Sequence, residues 1–260
     1  MKRIKNSDVM KLSLLFFLMI FFAVSCKEED NNEPLIVEEN TGTPCPGMET
    51  ITYGGQVYHT VQIGSQCWLR ENLNIGDMLN SADTLKDNDT IEKYCYGNDP
   101  ANCEIYGGLY TWDEIMNYGK DTLDTLQGIC PDGWHVATDF DWKIMEKELD
   151  SLYSENDSIW DTTGWRGFNT GGNLKKTGFD RWYDPNIGAK NTEGFTALPG
   201  GIRYAEDKSF DNIMETGFFW TSTKEGDFNA WFRLLSYAHS DVKRSFTNTS
   251  NAFSVRCVKD

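Results

Sequence analysis

The chain has 260 residues, 40 acidic against 24 basic side chains and a formal net charge of −16. That excess of negative charge repels phosphate backbones and anionic headgroups, which argues against nucleic-acid binding and against membrane attachment through basic residues. The 23 Gly, 9 Trp, 11 Tyr and 15 Phe suit a loop-rich domain with aromatic packing rather than a helical bundle.

In chain order, the first segment is basic (Lys2, Arg3, Lys5, Lys11), and an apolar run from Leu12 to Val24 follows, broken only by Ser13. As a helix this run spans roughly 20 Å, short of a bilayer core of about 30 Å. A basic start, a short apolar centre and small residues at its end form the pattern of a secretory signal. The end, Ala23-Val24-Ser25-Cys26, resembles the lipobox of bacterial lipoproteins. That resemblance implies a signal peptide over residues 1–25, cleavage before Cys26, and membrane contact through lipid on the Cys26 thiol. Cleavage removes four bases and one acid and leaves a net charge of −19. Residues 26–44 carry Lys27-Glu28-Glu29-Asp30 and then a polar run to Pro44, which reads as a flexible acidic tether. Acidic residues directly after such a cysteine resemble a surface-export signal, which implies an outer-membrane, surface-exposed protein.

Residues 45–260 are enough for one domain with a core. They hold Cys45, Cys67, Cys95, Cys103, Cys130 and Cys257. An even number in an exported chain suggests three disulfides, with fifteen connectivities open. The absence of a CxxC pair and the scatter of the three His give no support for zinc, so no metal or cofactor is expected.

Gln56 to Gly64 alternates polar and apolar residues and predicts a strand with Val57, His59, Val61 and Ile63 on one face. Cys67-Trp68-Leu69 continues as the next strand. Residues 76–104 are acidic and turn-rich and predict an irregular excursion. Thr111-Trp112-Asp113-Glu114 has capping-box spacing, which places a short helix through Met116. Cys130 to Val136 is a turn into a short strand. Thr138 caps a second helix, with Trp142, Met145, Leu149 and Leu152 on its inner face. The Gly-rich remainder predicts short segments and long loops. It includes two aromatic segments, 217–222 and 229–235, and a last strand over 252–258.

Seven stretches carry a family resemblance: VYHTVQIGSQCWLRENLN (57–74), YCYGNDPANCEIYGGLYTWDE (94–114), GICPDGWHVATDFDW (128–142), GGNLKKTGFDRW (171–182), NTEGFTALPGGIR (191–203), GFFWTSTKEGDFNAWFRLL (217–235) and AFSVRCVKD (252–260). In this order they resemble the Fibrobacter succinogenes major paralogous domain of exported bacterial proteins. The resemblance implies an α+β, C-type lectin-like fold, with short twisted antiparallel sheets, two helices, long Gly-rich loops and a closing strand beside the first ones. It implies the disulfide Cys130–Cys257. Proximity then pairs Cys95 with Cys103 and leaves Cys45 with Cys67. It implies no established reaction.

No catalytic constellation is legible. His59, His135 and His239 lack spaced partners, and such histidines are more often structural than basic catalysts. A carboxylate pair for glycoside hydrolysis is defined in space, about 5 to 9.5 Å apart, and cannot be picked from so many acids. The fold-related formylglycine-generating enzymes need two nearby cysteines close to the C-terminus, and here Cys257 is the only Cys after Cys130. An EF-hand loop starting at Asp87 lacks its Gly and its Glu. Asp184-Pro185-Asn186 loosely resembles a calcium motif of sugar-binding lectins, without that motif's second segment. Most aromatics read as scaffold. Tyr183, Tyr204, Asp184 and Asn186 are the ligand candidates. The expectation is a non-catalytic surface binding or adhesion module for glycan or protein. An extracellular polysaccharide hydrolase and a structural envelope component are the alternatives. Finally, every Asp followed by Ser or Thr is followed next by Leu, Ile or Thr. This resembles the acceptor of an O-glycosylation system for exported proteins, with Thr84, Thr90, Thr122 and Thr125 as first choices. Turn preferences alone explain the dipeptide.

Overall fold

The computed structural model describes residues 39–119 and 127–260. Cys26, Thr122 and Thr125 therefore lie outside the described residues. The elements all belong to the compact unit Glu38–Asp260. Its first half contains β1 (Thr50–Tyr53), β2 (Gln56–Ile63), β3 (Gln66–Leu69), β4 (Asp77–Leu79), β5 (Glu92–Tyr94), α1 (Pro100–Tyr106), α2 (Trp112–Ile115), β6 (Trp134–Val136) and α3 (Asp139–Leu149). Its second half contains β7 (Gly164–Arg166), α4 (Thr170–Leu174), β8 (Ile202–Arg203), β9 (Phe210–Asp211), β10 (Thr216–Glu225), β11 (Asn229–Ser236), β12 (Val242–Asn248) and β13 (Cys257–Lys259). The fold is α+β.

One antiparallel sheet runs β1-β2-β3-β13-β6 and a second runs β10-β11-β12-β7. The β1–β2 hairpin is set by a two-residue turn in which Gly54 (φ 56°) and Gly55 (φ 79°) are both left-handed, the geometry whose twist matches paired strands. The closing strand β13 lies between β3 and β6. Cys130–Cys257 ties it to the turn before β6, while Cys45–Cys67 and Cys95–Cys103 clamp local segments.

Two cores flank the first sheet. Tyr58, Leu69, Trp134 and Val136 pack with Phe218, Trp220 and Phe232 of the second sheet. Val61, Ile63, Trp68 and Val258 pack on the other side with Trp142, Met145 and Leu149 of α3. Trp68 meets Trp142 edge-on at 5.6 Å. The expected helix after Thr138 is present, with the full capping box to Asp141. Its inner face ends at Leu149, because Leu152 lies beyond the helix and is 64% exposed. The strand over 56–63 is present, but its faces divide. Val57 and His59 are exposed while Tyr58 and Thr60 are buried. The α3 core covers only the Val61–Ile63 half of the face that Val57 and His59 share.

The excursion at 76–104 is less irregular than its composition suggests. It contains the parallel pair β4–β5 and α1, started by Pro100 in the first turn and by the Asp99 carboxylate, which accepts from the Ala101 N–H at 2.9 Å. The last strand is shorter than the alternation over 252–258 implies. Ala252, Phe253 and Ser254 bridge singly to Arg203, Tyr110 and Phe219, so this buried segment threads between elements instead of extending one ladder. The compact unit also takes in residues 39–44. The Asn40 side chain donates to the carbonyls of Asn191 and Thr192, Asn191 donates back to the Asn40 carbonyl, and Glu39 pairs with Lys176.

A buried charge cluster joins α3 to the second sheet. Arg233 bonds both Asp139 and Glu146, Arg166 bonds Glu146, and Arg244 grips Asp139 bidentately at 2.8 Å. Burial alone would raise the Asp139 pKa, but Arg244 and Arg233 outweigh it and hold the carboxyl well below the usual range.

Candidate ligand-binding cleft

The three histidines show what kind of site is absent from their surroundings. His135 has both ring nitrogens bonded to carboxylates, Nε2 to Asp141 at 3.1 Å and Nδ1 to Asp260 at 2.7 Å. His59 pairs with Glu71, and His239 pairs with Asp241 while stacking on Trp165 at 3.7 Å. None stands beside a Ser or Cys nucleophile in these contacts. Among the described residues no three His, Cys, Asp or Glu side chains converge as metal ligands. Again among the described residues, no helix is long and apolar enough to cross a membrane.

A cleft of 640 Å³ opens where five chain segments meet, within the size range of small-molecule sites. Its floor is built from β5 and β8. Arg203, 2% exposed, lays its guanidinium 4.2 Å over the Tyr94 ring and donates from Nη2 to the carbonyls of Ser81 and Asp83. The Tyr94 hydroxyl donates to the Asp83 carbonyl at 2.8 Å, so one main-chain group organises both side chains. A small core of Leu85, Tyr94, Leu109 and Ala252 lies in the same region. Arg203 and Ala252 exchange both main-chain hydrogen bonds, which fixes β8 against the buried C-terminal segment.

One wall is the turn after β12. The Asn251 side chain accepts from the Ala205 N–H at 3.0 Å and donates to Thr247, and the Asn248 carboxamide oxygen accepts from the Ser250 N–H. These bonds hold the turn against the segment carrying Tyr204. The adjoining wall is α2 and the residues after it, joined to that turn by the Trp112 N–H, which donates to the Thr249 carbonyl at 2.9 Å. Thr111 caps α2 by accepting from the Glu114 N–H. The Glu114 carboxylate does not complete a capping box. It accepts instead from the Glu92 N–H and the Tyr118 hydroxyl. Burial pushes the Glu114 carboxyl above its ordinary range and the Tyr118 phenol far above its own, the latter reinforced by Glu114. Tyr118 has φ 51°, a left-handed value that a Tyr adopts only when its surroundings enforce it.

Of the four ligand candidates read from the sequence, Tyr204 lines this cleft, half-buried between it and the main core. Tyr183, Asp184 and Asn186 do not line it. Tyr183 and Asp184 are exposed on another loop, where Tyr183 packs edge-on against Tyr237. Asn186 is buried and its amide donates to the carbonyls of Lys176 and Gly178, with no protein partner for the carboxamide oxygen. Arg203 and Asp113 lie in family stretches that give them no role, and Tyr118 and the Asn248–Asn251 turn lie outside those stretches. Five segments far apart in sequence build the site, and only folding joins them. Thr84 also lines the cleft and is exposed, as is Thr90. Ser151 is exposed too, since it lies beyond the end of α3.

Chemically the lining offers hydrogen-bond donors and acceptors of both signs around tyrosine rings, with Leu85 and Ala205 its only aliphatic members among the described residues. Such a mixed surface can take a ligand that carries both hydroxyl groups and C–H faces. Comparison with curated proteins and with solved structures gives no match. The family described as the Fibrobacter succinogenes major domain matches residues 61–259, which take in the second sheet, the first sheet from the end of β2 onward, α3 and every described segment of the cleft, and the chain belongs to that family.

Proposed function

We propose that this chain is an exported lipoprotein whose C-type lectin-like domain binds a glycan in the cleft above Arg203 and Tyr94. The signal-like start and Cys26 support lipid anchoring at the outer membrane, surface-exposed. A closing strand beside β3, tied by Cys130–Cys257, supports the lectin-like reading. The single observation that carries the binding reading is the placement of Tyr204 in a cleft of 640 Å³ lined by tyrosine rings and hydrogen-bonding side chains.

The test is a glycan array probed with the purified full chain, repeated with Tyr204→Ala. The expected result is binding to a subset of glycans that weakens about tenfold in the variant, equivalent to about 1.4 kcal/mol. Array binding untouched by Tyr204→Ala would move the site elsewhere. The hydrolase alternative rests on Asp113 and Glu206, the two carboxylates in the cleft. Shortened products from a bound polysaccharide, abolished by Asp113→Asn or Glu206→Gln, would establish it in place of simple binding.

A further inference from the structure

Five arginines are buried among the described residues: Arg166, Arg203, Arg233, Arg244 and Arg256. Burying a guanidinium is costly unless its charge and its N–H groups are matched. Arg166, Arg233 and Arg244 share the carboxylates of Glu146 and Asp139. Arg256 has no carboxylate, but it donates to four oxygens, those of Asn72, Leu69, Phe195 and Thr196. Arg203 is the least compensated. It bonds only through Nη2, its Nε has no partner, and no acid lies within ion-pair distance of it among the described residues. It is also the only one of the five that lines the cleft.

A second cation stands in the same lining. Lys208, at φ 65°, sits on the turn after Tyr204 and has no ion-pair partner among the described residues. Among the described residues the lining thus holds two cations, Arg203 and Lys208, against two acids, Asp113 and Glu206. In a chain whose acids outnumber its bases 40 to 24, this cleft is locally enriched in positive charge.

Resting on the binding reading above, we infer that the ligand is an acidic saccharide, whose carboxylate is met by Lys208 and offsets the unmatched charge of Arg203. Asp113, Glu206 and the Asn248–Ser250 turn are then left to take its hydroxyl groups. A carboxylate against paired cations gains charge-assisted hydrogen bonding that a neutral sugar lacks. The tyrosine rings provide faces for the sugar's C–H groups.

The experiment is calorimetric titration of the full chain with polygalacturonate, alginate and hyaluronan, each beside its carboxyl-reduced form, with polyglutamate as a further probe. At least one uronate polymer is expected to bind about tenfold or more tighter than its reduced form. Lys208→Gln should erase that preference without moving the thermal midpoint, because Lys208 is only half-buried. Arg203→Lys, which keeps the charge, should retain part of the preference. Equal or tighter binding of a carboxyl-reduced form would overturn the acidic ligand and leave the binding cleft standing. Equivalent binding of polyglutamate would overturn the saccharide. No binding of any form would overturn both the inference and the glycan reading it rests on.

Discussion

His135 Nε2 lies 3.1 Å from the Asp141 Oδ2, and that same oxygen accepts the main-chain N–H of Thr138 at the start of α3. A single carboxylate thus closes the helix cap and anchors the imidazole, and Asp260 holds the other ring nitrogen. Burial alone would lower the His135 pKa, but the bonds to Asp141 and Asp260 outweigh it and raise the value above 6.5. A raised histidine stabilises the fold fully below its unfolded pKa of about 6.5 and loses that contribution as pH rises through its folded value. Urea midpoints of the wild type and His135→Gln should therefore differ at pH 6 and converge toward pH 9. A gap that is constant with pH would show that the imidazolium pair contributes nothing.

Glu146 is fully buried and receives both Arg166 and Arg233. Glu146→Gln leaves the buried Arg166 with no carboxylate and Arg233 with Asp139 alone, a change that costs about 3–5 kcal/mol in comparable buried pairs. Chemical unfolding is the measurement. A loss under about 1 kcal/mol would mean that water enters the cluster and that it is not sealed.

Gly172 lies inside α4, where helix propensity alone favours alanine by about 1 kcal/mol. The structure reverses the sign. A Cβ at Gly172 would meet the Gly188 carbonyl oxygen at 2.2 Å and the carbonyl carbon at 2.7 Å. Gly172→Ala should destabilise by about 1–3 kcal/mol, the range of overpacking. Gly47→Ala, with φ 71° and no atom within 4 Å, is the comparison, since only backbone strain acts there. Thermal melts of the two variants decide, and a stabilised Gly172→Ala would refute the close approach.

The Cys26 thiol is expected to carry lipid. Cys26→Ser should then leave the precursor unprocessed or release the protein from membranes, which fractionation and intact mass detect. A mature N-terminus elsewhere, without lipid, would end the idea.

Thr84 and Thr90 meet the first requirement of an O-glycosylation acceptor, an accessible hydroxyl. The mass of protein purified from its host should exceed peptide plus lipid by hexose-sized steps that diminish in Thr84→Ala and Thr90→Ala. A glycan on Thr84 would stand at the cleft mouth, so Thr84→Ala should also change ligand affinity if that site is used. A mass with no such steps removes the modification.

Local chemistry made much of the fold legible. The period-two pattern of 56–63 and the Thr138 cap act over a few residues and do not depend on distant partners, whereas the capping-box spacing at Thr111 misleads because Glu114 is taken by Glu92 and Tyr118. The spacing of Cys95 and Cys103 is as local as the Thr138 cap. The family is legible too, because its motifs are contiguous. Contiguous strings could not place the charges. Asp139 and Glu146 look like the solvated acids of an acidic surface until Arg166, Arg233 and Arg244 arrive from β7, β11 and β12. Arg203 looks like one base among 24, and it becomes the floor of a cleft only when β5 brings Tyr94 beneath it and the 248–251 turn closes beside Tyr204. Burial and charge compensation are properties of neighbours in space. Sequence determined the elements and the lineage, while tertiary packing alone decided which of 64 charged side chains are sealed in the core and which face a ligand.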